Sequence, residues 1–238
     1  MSGKFDIYTK KISNDFDNLA DIYDDIWTFR VYDEIILEYI DYNKDKILEV
    51  GCGTGRLLSK MSHKSEEIIG IDVSKEMVKK ARHNTDAKVI NESIYNVDEI
   101  VEYNSLDVVV AENVLHNCKK FGKIARKLKS LLKKGGIVIV IDLEETNPKN
   151  ENFIKSKIVT LMYCTFILKC GVMRGQIVKS IKGLVNETRM FNTKEWQKHI
   201  SNVRDFKFSE LENAFIENDF DTNVKDINVM FKLMVCKA

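Results

Sequence analysis

The stretch Ile47-Leu-Glu-Val-Gly-Cys-Gly-Thr-Gly-Arg-Leu-Leu58 decides the fold, because an apolar run ends there in three glycines at alternate positions. Ile47, Leu48 and Val50 predict a buried strand that is too short to be a helix. Glycines permit a tight turn that side chains would block. The stretch is thus typical of a strand, a glycine loop and a helix whose N-terminus lets backbone N–H groups approach a ligand. It predicts a cofactor site at the carboxyl end of the first strand.

Composition narrows the classes to which the chain can belong. It has 238 residues, 44% of them hydrophobic, which is enough for one sizeable core. Its 37 basic and 36 acidic residues leave a net charge of +1, so we expect no nucleic-acid partner. The longest apolar run, Ile158 to Leu168, is well short of the roughly 20 residues that span a bilayer, and we expect no transmembrane segment.

The five cysteines favour a reduced setting without metal. They form no CxxC pair, and Met1 to Lys11 lacks the apolar core of a signal peptide, so we expect a cytoplasmic location. Cys164 and Cys170 stand six apart, which suits neither zinc spacing nor two ligands on one helix face. Cys52 lies inside the glycine loop, where a small side chain packs. We therefore expect no metal site.

Beyond the glycine loop, predicted strands alternate with helices, which is the pattern of a parallel sheet with helices on both faces. The strands are predicted at 47–50, 67–71, 88–91, 106–111 and 137–143. A helix over 74–82 has Ser74 as its N-cap, and a second over 121–133 is ended by Gly135-Gly136.

The segment before the first strand is rich in aromatic residues and predicts helices over 1–45. Such a leader can fold over a bound ligand as a lid, with Tyr23 as its best single candidate. The alternative is a helix that only packs on the sheet.

The segment after the fifth strand reads as an insert followed by closing elements. Phe153 to Cys170 predicts an apolar helix, whereas 174–189 is mixed and basic. Ser209 to Glu212 predicts a capping box that opens a helix. A hairpin of 220–226 with 229–235 then adds an antiparallel strand to the sheet. We thus expect a single domain that comprises a helical lid (1–45), a cofactor-binding core (46–148), an insert (149–200) and a closing helix with strands (201–238).

The spacing of the glycines narrows the cofactor. A dinucleotide loop has the form GxGxxG, whereas Gly51-Cys-Gly-Thr-Gly55 has the form GxGxG and is one residue too short. A P-loop needs Lys-Ser or Lys-Thr after its last glycine, and Arg56-Leu57 stands there instead. What remains is the form acid-x-Gly-x-Gly-x-Gly, which begins at Glu49.

With that form and three further segments, the chain resembles the class I S-adenosylmethionine-dependent methyltransferases. Ile68 to Met77 resembles the family's second motif, Leu106 to His116 its fourth-strand motif, and Leu128 to Gly136 its helix and Gly-Gly turn before strand five. The resemblance covers Ile47 to Leu143 in the family's order and is nearest to the small-molecule, quinone-type methyltransferases. It implies an α/β fold with a Rossmann-like, doubly wound, seven-stranded, mostly parallel sheet whose last strand is antiparallel.

The resemblance implies S-adenosyl-L-methionine as cofactor and S-adenosyl-L-homocysteine as product. Asp72 matches the acid whose two oxygens accept hydrogen bonds from the ribose hydroxyls. Ala20 to Asp24 is similar to a segment whose tyrosine covers the cofactor. Ser93 stands where the family has an acid for the adenine amino group; its hydroxyl can accept that bond, and Glu92 and Asp98 are the alternatives. The implied cofactor contacts are Tyr23, Glu49, Gly51, Cys52, Gly53, Gly55, Asp72, Val73, Met77, Ser93, Ile94 and Glu112.

Methyl transfer is an in-line displacement at an activated carbon, so the protein mainly positions the nucleophile and, where needed, removes a proton. The acceptor is expected beside strand four and under the lid, near Glu112, Asn113 and His116. Histidine titrates near neutrality, which suits His116 as a catalytic general base, although the family often has a histidine here without a catalytic role. Glu112 is a second catalytic candidate, or else a shelf for the cofactor. Asp142 either lines the acceptor pocket or is a solvated loop acid.

The segment after strand four also bears on the acceptor. Nucleic-acid base methyltransferases of this fold resemble one another in an Asn/Asp-Pro-Pro-Tyr/Phe segment there, whereas this chain has Ala111-Glu-Asn-Val114. Together with the near-neutral charge, this favours a small, partly hydrophobic metabolite, methylated by a monomer or homodimer. The alternatives are an RNA or protein methyltransferase of the same fold, and a non-catalytic module that binds S-adenosylmethionine.

Overall fold

A mixed β-sheet organises the computed structural model, which describes residues 5–26, 32–41, 44–146, 153–202, 205–228 and 230–238. The strands within those residues are β1 (Lys44–Val50), β2 (Ser65–Asp72), β3 (Lys88–Asn91), β4 (Leu106–Glu112), β5 (Leu132–Leu143), β6 (Glu145–Thr146), β7 (Phe206–Lys207), β8 (Asp221–Asp226) and β9 (Phe231–Lys237). Seven of these described strands form one sheet in the order β3-β2-β1-β4-β5-β9-β8, in which β9 alone runs opposite to the other six. The predicted fold class is thus confirmed.

Helices cover both faces of this sheet. They are α1 (Ile7–Ile26), α2 (Tyr32–Glu38), α3 (Arg56–Met61), α4 (Lys75–Asn84), α5 (Phe121–Leu131), α6 (Phe153–Met173), α7 (Ile177–Phe191), α8 (Lys194–Asn202) and α9 (Phe208–Ile216). Short 3-10 helices lie at Ile94–Glu99 and Leu115–Asn117. Among the described residues, no helix is long and apolar enough to cross a bilayer.

The central strands are buried on both faces because alternate side chains point into two different cores. Val109 and Val140 pack into one core with α5 and α9. Val108 and Ile139 pack into the other with α2 and α3. The parallel register sets the carboxyl ends of β1, β2 and β4 side by side, so the loops that follow these strands meet at one edge of the sheet.

The structure corrects two local predictions and shows a helix in a segment that the sequence pattern left unassigned. Leu132 belongs to β5 rather than to the preceding helix, because it is extended and pairs with Leu106. Ser209 is not an N-cap: α9 begins at Phe208, whose backbone N–H donates to Glu144 O (2.8 Å), next to the β6–β7 pair. The mixed segment 174–189 is mostly helix α7.

Helix α7 packs closely on α6. This contact explains why the hydrophobic pattern of α7 is hard to interpret from the sequence. A Cβ placed on Gly171 would lie 2.2 Å from Ser180 Oγ, so the two helices cross at a glycine. Ser180 and Glu187 are buried although both are polar. Burial of polar residues weakens the amphipathic pattern that predicts a helix.

The predicted division into lid, core, insert and closing part stays a prediction. The boundary between core and insert, at 148 and 149, lies outside the described residues, as does Val229 of the predicted last strand.

Candidate active site

The glycine loop turns sharply over the end of β2. Gly51, Gly53 and Gly55 all have positive φ angles (+68°, +52° and +83°), which other residues rarely adopt. A Cβ on Gly51 would lie 2.4 Å from Val114 Cγ2, so the loop also passes too close to the segment after β4 for any side chain. The backbone N–H of Gly51 donates to Ile71 O (2.8 Å), which fixes the loop against β2.

Asp72, at the end of β2, lies directly beside this loop. Its Oδ2 accepts a hydrogen bond from Gly53 N (2.9 Å), and its Oδ1 accepts one from Ser74 N (2.8 Å). Burial raises the pKa of Asp72 to about 6, although these two hydrogen bonds oppose the rise. Each carboxylate oxygen keeps a second lone pair, so the group can accept from two vicinal hydroxyls at once.

A pocket of about 760 Å³, partly open to solvent, extends from the glycine loop toward α1 and the segment after β4. The predicted site residues that line it are Tyr23, Gly51, Gly53, Asp72, Val73, Met77, Ser93, Ile94 and Glu112. Glu49, Cys52, Gly55 and His116 do not line it. The structure thus brings most of the implied cofactor residues together, although their contact with a cofactor stays a prediction.

Helix α1 forms a roof over this pocket. Its Thr9, Ile12, Phe16 and Tyr23 line the pocket. Three hydrogen bonds tie the helix to the loops below, from Ser13 Oγ to Val73 O (2.8 Å), from Ser74 Oγ to Asp17 Oδ1 (2.6 Å) and from Thr54 Oγ1 to Asp24 Oδ1 (2.6 Å). Helix α1 therefore covers the pocket, whereas the role of the whole leader (1–45) as a lid stays a prediction.

Tyr23 lies over the glycine loop, as the resemblance implies. A Cβ on Gly53 would lie 3.9 Å from the ring carbon Cε1 of Tyr23. The ring also meets Phe16 edge-on, with 6.3 Å between the ring centroids. Two aromatic rings of α1 thus face the predicted cofactor site.

Among the candidates for the adenine end, Glu92 and Ser93 line the pocket and Asp98 does not. Ser93 is the N-cap of the helix Ile94–Glu99, and its Oγ accepts from Tyr95 N (3.3 Å). Glu92 Oε1 accepts from Ser93 N (2.9 Å). Asp98 is instead ion-paired to Lys127. An acid is therefore present after β3, one residue before the position at which the family pattern sets it.

Glu112 belongs to a charged cluster at the wall of the pocket. Arg56 Nη2 donates to Glu112 Oε2 (2.8 Å), and Arg56 also pairs with the fully buried Asp33. Burial alone would lower the pKa of Arg56, but the carboxylates of Glu112 and Asp33 hold it above its usual range. Burial, and then the charge of Glu112, raise the pKa of Glu49 well above its usual range. Because Glu112 is paired with Arg56, taking up a proton as a general base would break this ion pair.

Arg56 is the functional-site residue that the sequence reasoning missed. In the sequence it only rules out a P-loop, and no local pattern there predicts its buried carboxylate partners. Three buried carboxylates, those of Asp33, Glu49 and Glu112, lie near it. A cation is needed there because an uncompensated buried charge is costly.

His116 lies in the short helix Leu115–Asn117, behind the wall of the pocket. Its Nδ1 is 2.6 Å from Asp142 Oδ1, and its Nε2 is 2.9 Å from Asn117 Nδ2. Asp142 is fully buried and also accepts from the backbone N–H of Leu115 (2.8 Å), so it is neither a solvated loop acid nor a pocket residue. With both ring nitrogens engaged, this geometry favours the non-catalytic alternative for His116, whose role as a base stays a prediction.

Cys52 packs against β2. A Cβ on Gly70 would lie 2.9 Å from Cys52 Sγ, so the thiol fills the space that this glycine leaves. Burial raises the pKa of the Cys52 thiol, which keeps it protonated and unreactive. In the described part of the chain, no three His, Cys, Asp or Glu side chains come together as a metal site.

The glycine loop, the acid at the end of β2 and the pocket at the carboxyl ends of the parallel strands define a Rossmann-like cofactor-binding enzyme of the methyltransferase class. The family model described as a methyltransferase domain matches residues 41–207, and the chain belongs to this family. It is an S-adenosylmethionine-dependent methyltransferase.

Two relatives and a solved structure show the range of similarity. The chain is 27% identical to carboxy-S-adenosyl-L-methionine synthase of Nautilia profundicola over 233 residues, which are 91% of this chain and 96% of that protein. It is 27% identical to a ubiquinone biosynthesis O-methyltransferase of Bradyrhizobium diazoefficiens over 100 residues, which are 41% of this chain and only 40% of that protein. Geranyl diphosphate C-methyltransferase of Streptomyces coelicolor, solved with S-adenosyl-L-homocysteine, has a TM-score of 0.59 at 11% identity, with 87% of this chain and 79% of that chain covered. This last likeness shows the fold alone.

Proposed function

We propose that this enzyme transfers the methyl group of S-adenosylmethionine to a small-molecule acceptor. The observation that carries the proposal is the roof of the pocket. Helix α1 of the same chain covers the pocket with Thr9, Ile12, Phe16 and Tyr23, so the site is a concave, partly closed space of the kind that small ligands occupy. A macromolecular acceptor needs an open groove beside the methyl group, and in this proposal Ile12 and Phe16 of α1, which line the pocket, would restrict that approach.

Within this proposal, the residues of the pocket hold the cofactor in its family orientation. Asp72 accepts hydrogen bonds from the ribose, and Glu92 with Ser93 and Ile94 surrounds the adenine. Gly51 and Gly53 let the backbone approach the methionine part closely. When bound, S-adenosylmethionine supplies a methyl group that its sulfonium charge has already activated. The protein then orients the acceptor in line and excludes water.

Calorimetric titration with S-adenosylmethionine and S-adenosylhomocysteine tests the cofactor half of the proposal. Asp72→Ala should weaken both affinities by at least about tenfold, because hydrogen bonds to a carboxylate contribute about 1.5–3 kcal/mol each. Asp86→Ala, at an exposed position, is the matched control and should bind like the wild type. Unchanged binding in Asp72→Ala contradicts the proposed ribose contact.

The acceptor half is tested with methyl-labelled S-adenosylmethionine and a cell extract separated into small-molecule, protein and RNA fractions. We expect label in the small-molecule fraction only. Label in RNA or protein contradicts the proposal, and cofactor binding without any transfer indicates a non-catalytic module.

A second candidate is chemistry on the cofactor itself, because the match to carboxy-S-adenosyl-L-methionine synthase extends over 96% of that protein. In this alternative, the pocket beside the sulfur holds a carboxyl donor rather than a methyl acceptor. Mass spectrometry of the cofactor after incubation with extract separates the two. S-adenosylhomocysteine indicates methyl transfer, whereas carboxy-S-adenosylmethionine indicates the second candidate.

The proposal includes a cytoplasmic location, a monomer or homodimer, and no nucleic-acid partner. All five cysteines are free thiols, which fits a reducing compartment. The net charge of +1 gives no overall attraction to nucleic acid. A salt-dependent pull-down of RNA by the basic segments 119–134 and 169–182 would contradict the last point.

A further inference from the structure

We propose that Asn117 binds the acceptor, and that its side-chain Oδ1 accepts a hydrogen bond from a hydroxyl or N–H group of that molecule. This inference rests on the proposed function and narrows its substrate class. A hydrogen bond to Asn117 Oδ1 favours an acceptor that has a protonated hydroxyl, amine or amide over an ether, an ester or a carboxylate.

The orientation of the Asn117 amide follows from two buried partners. Asp142 accepts backbone N–H groups on both of its carboxylate oxygens, so the His116 ring donates to Oδ1 through Nδ1–H (2.6 Å). The His116 Nε2 atom is then left with its lone pair, and it accepts from Asn117 Nδ2 (2.9 Å). The NH₂ group of the amide is therefore fixed on His116, and Oδ1 is the end that remains for another partner.

The Oδ1 atom is buried and has no hydrogen-bond partner among the described residues. Asn117 itself is 8% exposed and lines the pocket. A buried polar atom without a partner costs free energy, so an oriented one at the wall of a ligand pocket is a site for a donor. Because the oxygen bears no proton, it accepts from O–H or N–H and repels a carboxylate or an ether oxygen.

The place of Asn117 in the fold assigns it to the acceptor rather than to the cofactor. Asp72 and Glu92 follow β2 and β3, on one side of β1, whereas Asn117 follows β4, on the other side, and its amide bonds His116, which Asp142 at the end of β5 orients. The pocket wall near it also includes Cys118 and Phe16. An oriented acceptor beside Phe16, Val114 and Cys118, which also line the pocket, suits a ring or chain that has a hydroxyl or amine group.

The first test is a crystal structure of the enzyme with S-adenosylhomocysteine. We expect Oδ1 of Asn117 to face the space beside the sulfur, without a donor from the cofactor or the protein. A hydrogen bond from the adenine amino group or from a protein donor to Oδ1 overturns the inference. Failure of S-adenosylhomocysteine to bind at all would instead contradict the proposed function, so the two failures are distinguishable.

The second test measures two matched fragments by ligand-observed NMR on the enzyme saturated with S-adenosylhomocysteine. Phenol donates a hydrogen bond and its methyl ether, anisole, does not. We expect phenol to bind at least about tenfold more tightly, and we expect Asn117→Leu to remove the difference. Equal affinities in the wild type, no detectable binding of either fragment, or an unchanged difference in Asn117→Leu overturns the inference.

Asn14→Leu, at an exposed position on α1, is the control and should keep the preference for phenol. Calorimetry with S-adenosylhomocysteine and thermal unfolding of each variant show that the pocket is intact. Should Asn117→Leu fail to fold, the wild-type fragment pair and the crystal structure still decide the question.

Discussion

The pocket has two proposed halves, one for the cofactor and one for the acceptor, and they are built in different ways. The cofactor half consists of loops that directly follow β1, β2 and β3, and its shape is imposed by the backbone of Gly51 and Gly53. The acceptor half is assembled from distant segments: Phe16 of α1 contacts His199 of α8, with 4.9 Å between the ring centroids, and Asp142 holds the segment after β4. The shape of the proposed cofactor half thus depends on a local backbone turn, whereas the shape of the proposed acceptor half depends on tertiary packing.

We expect the largest effect on cofactor affinity from a substitution in the glycine loop itself. In Gly51→Ala, the new Cβ would lie 2.4 Å from Val114 Cγ2 at a φ of +68°. We expect the affinity for S-adenosylmethionine to fall by about 100-fold or more and the free energy of unfolding to fall by about 2–4 kcal/mol. Calorimetry and urea denaturation measure the two quantities.

Gly175→Ala is the matched control for this change. Gly175 has a similar φ of +64°, but nothing lies within 4 Å of the position its Cβ would take. This variant should therefore show only the cost of the backbone conformation, about 1 kcal/mol, and unchanged cofactor affinity. Equal losses in the two variants would mean that strain, and not the close approach to Val114, explains the glycine at 51.

The same contrast explains how much the sequence could predict. The glycine loop, Asp72 and the strands of the core are visible because each depends on residues close together in the chain. Arg56 pairs with Asp33 of α2, which lies 23 residues earlier in the chain. No local sequence pattern predicts this ion pair. The buried role of Asp142 was also missed, since an acid that follows a strand is more often solvated.

Helix α7 and the start of α9 show the same limit at the level of secondary structure. Ser180 packs against Gly171 of another helix, so its burial depends on a contact that the segment itself does not encode. Ser209 has the pattern of a cap, but the hydrogen bond from Phe208 N to Glu144 O starts the helix earlier. In both cases a tertiary contact overrides the local preference.

The charged cluster around Arg56 reaches the pocket wall through Glu112, and Arg56→Met tests it. Removing the guanidinium leaves the carboxylates of Asp33, Glu49 and Glu112 without their main cation. We expect the free energy of unfolding to fall by about 2–4 kcal/mol, measured by urea denaturation near pH 7.

Lys60→Met provides the comparison, because Lys60 also pairs with Asp33 (2.6 Å) but its side chain is 46% exposed. Its loss should cost less than about 1 kcal/mol. If both variants lose equal stability, Asp33 rather than the cluster as a whole is the group that needs a cation.

The protonation state of Asp72 offers a test of the cofactor half alone. Because burial raises the pKa of Asp72 to about 6, the carboxylate that we propose as the ribose acceptor is mostly ionised at pH 7 and mostly protonated at pH 5. The affinity for S-adenosylmethionine should therefore fall about tenfold from pH 7 to pH 5, as one group with this pKa takes up a proton. Calorimetry across this range measures the change. Asp72→Asn should bind more weakly at pH 7 and lose this pH dependence, and a dependence that survives in this variant would belong to another group.

We expect the smallest effect on cofactor affinity from Tyr23, which lines the pocket beside the glycine loop. Its ring covers Gly53, so Tyr23→Ala should weaken S-adenosylmethionine binding by about fivefold, the loss of about 1 kcal/mol of aromatic packing. Tyr23→Phe keeps the ring and should stay within about twofold of the wild type. Tyr103→Ala, which removes a ring that is 64% exposed, is the control.

Equal losses in the Ala and Phe variants would show that the hydroxyl, and not the ring, makes the contact. If Tyr23→Ala instead leaves cofactor affinity unchanged and raises the KM for the acceptor, the lid serves the acceptor half, because only that half would then depend on the position of α1.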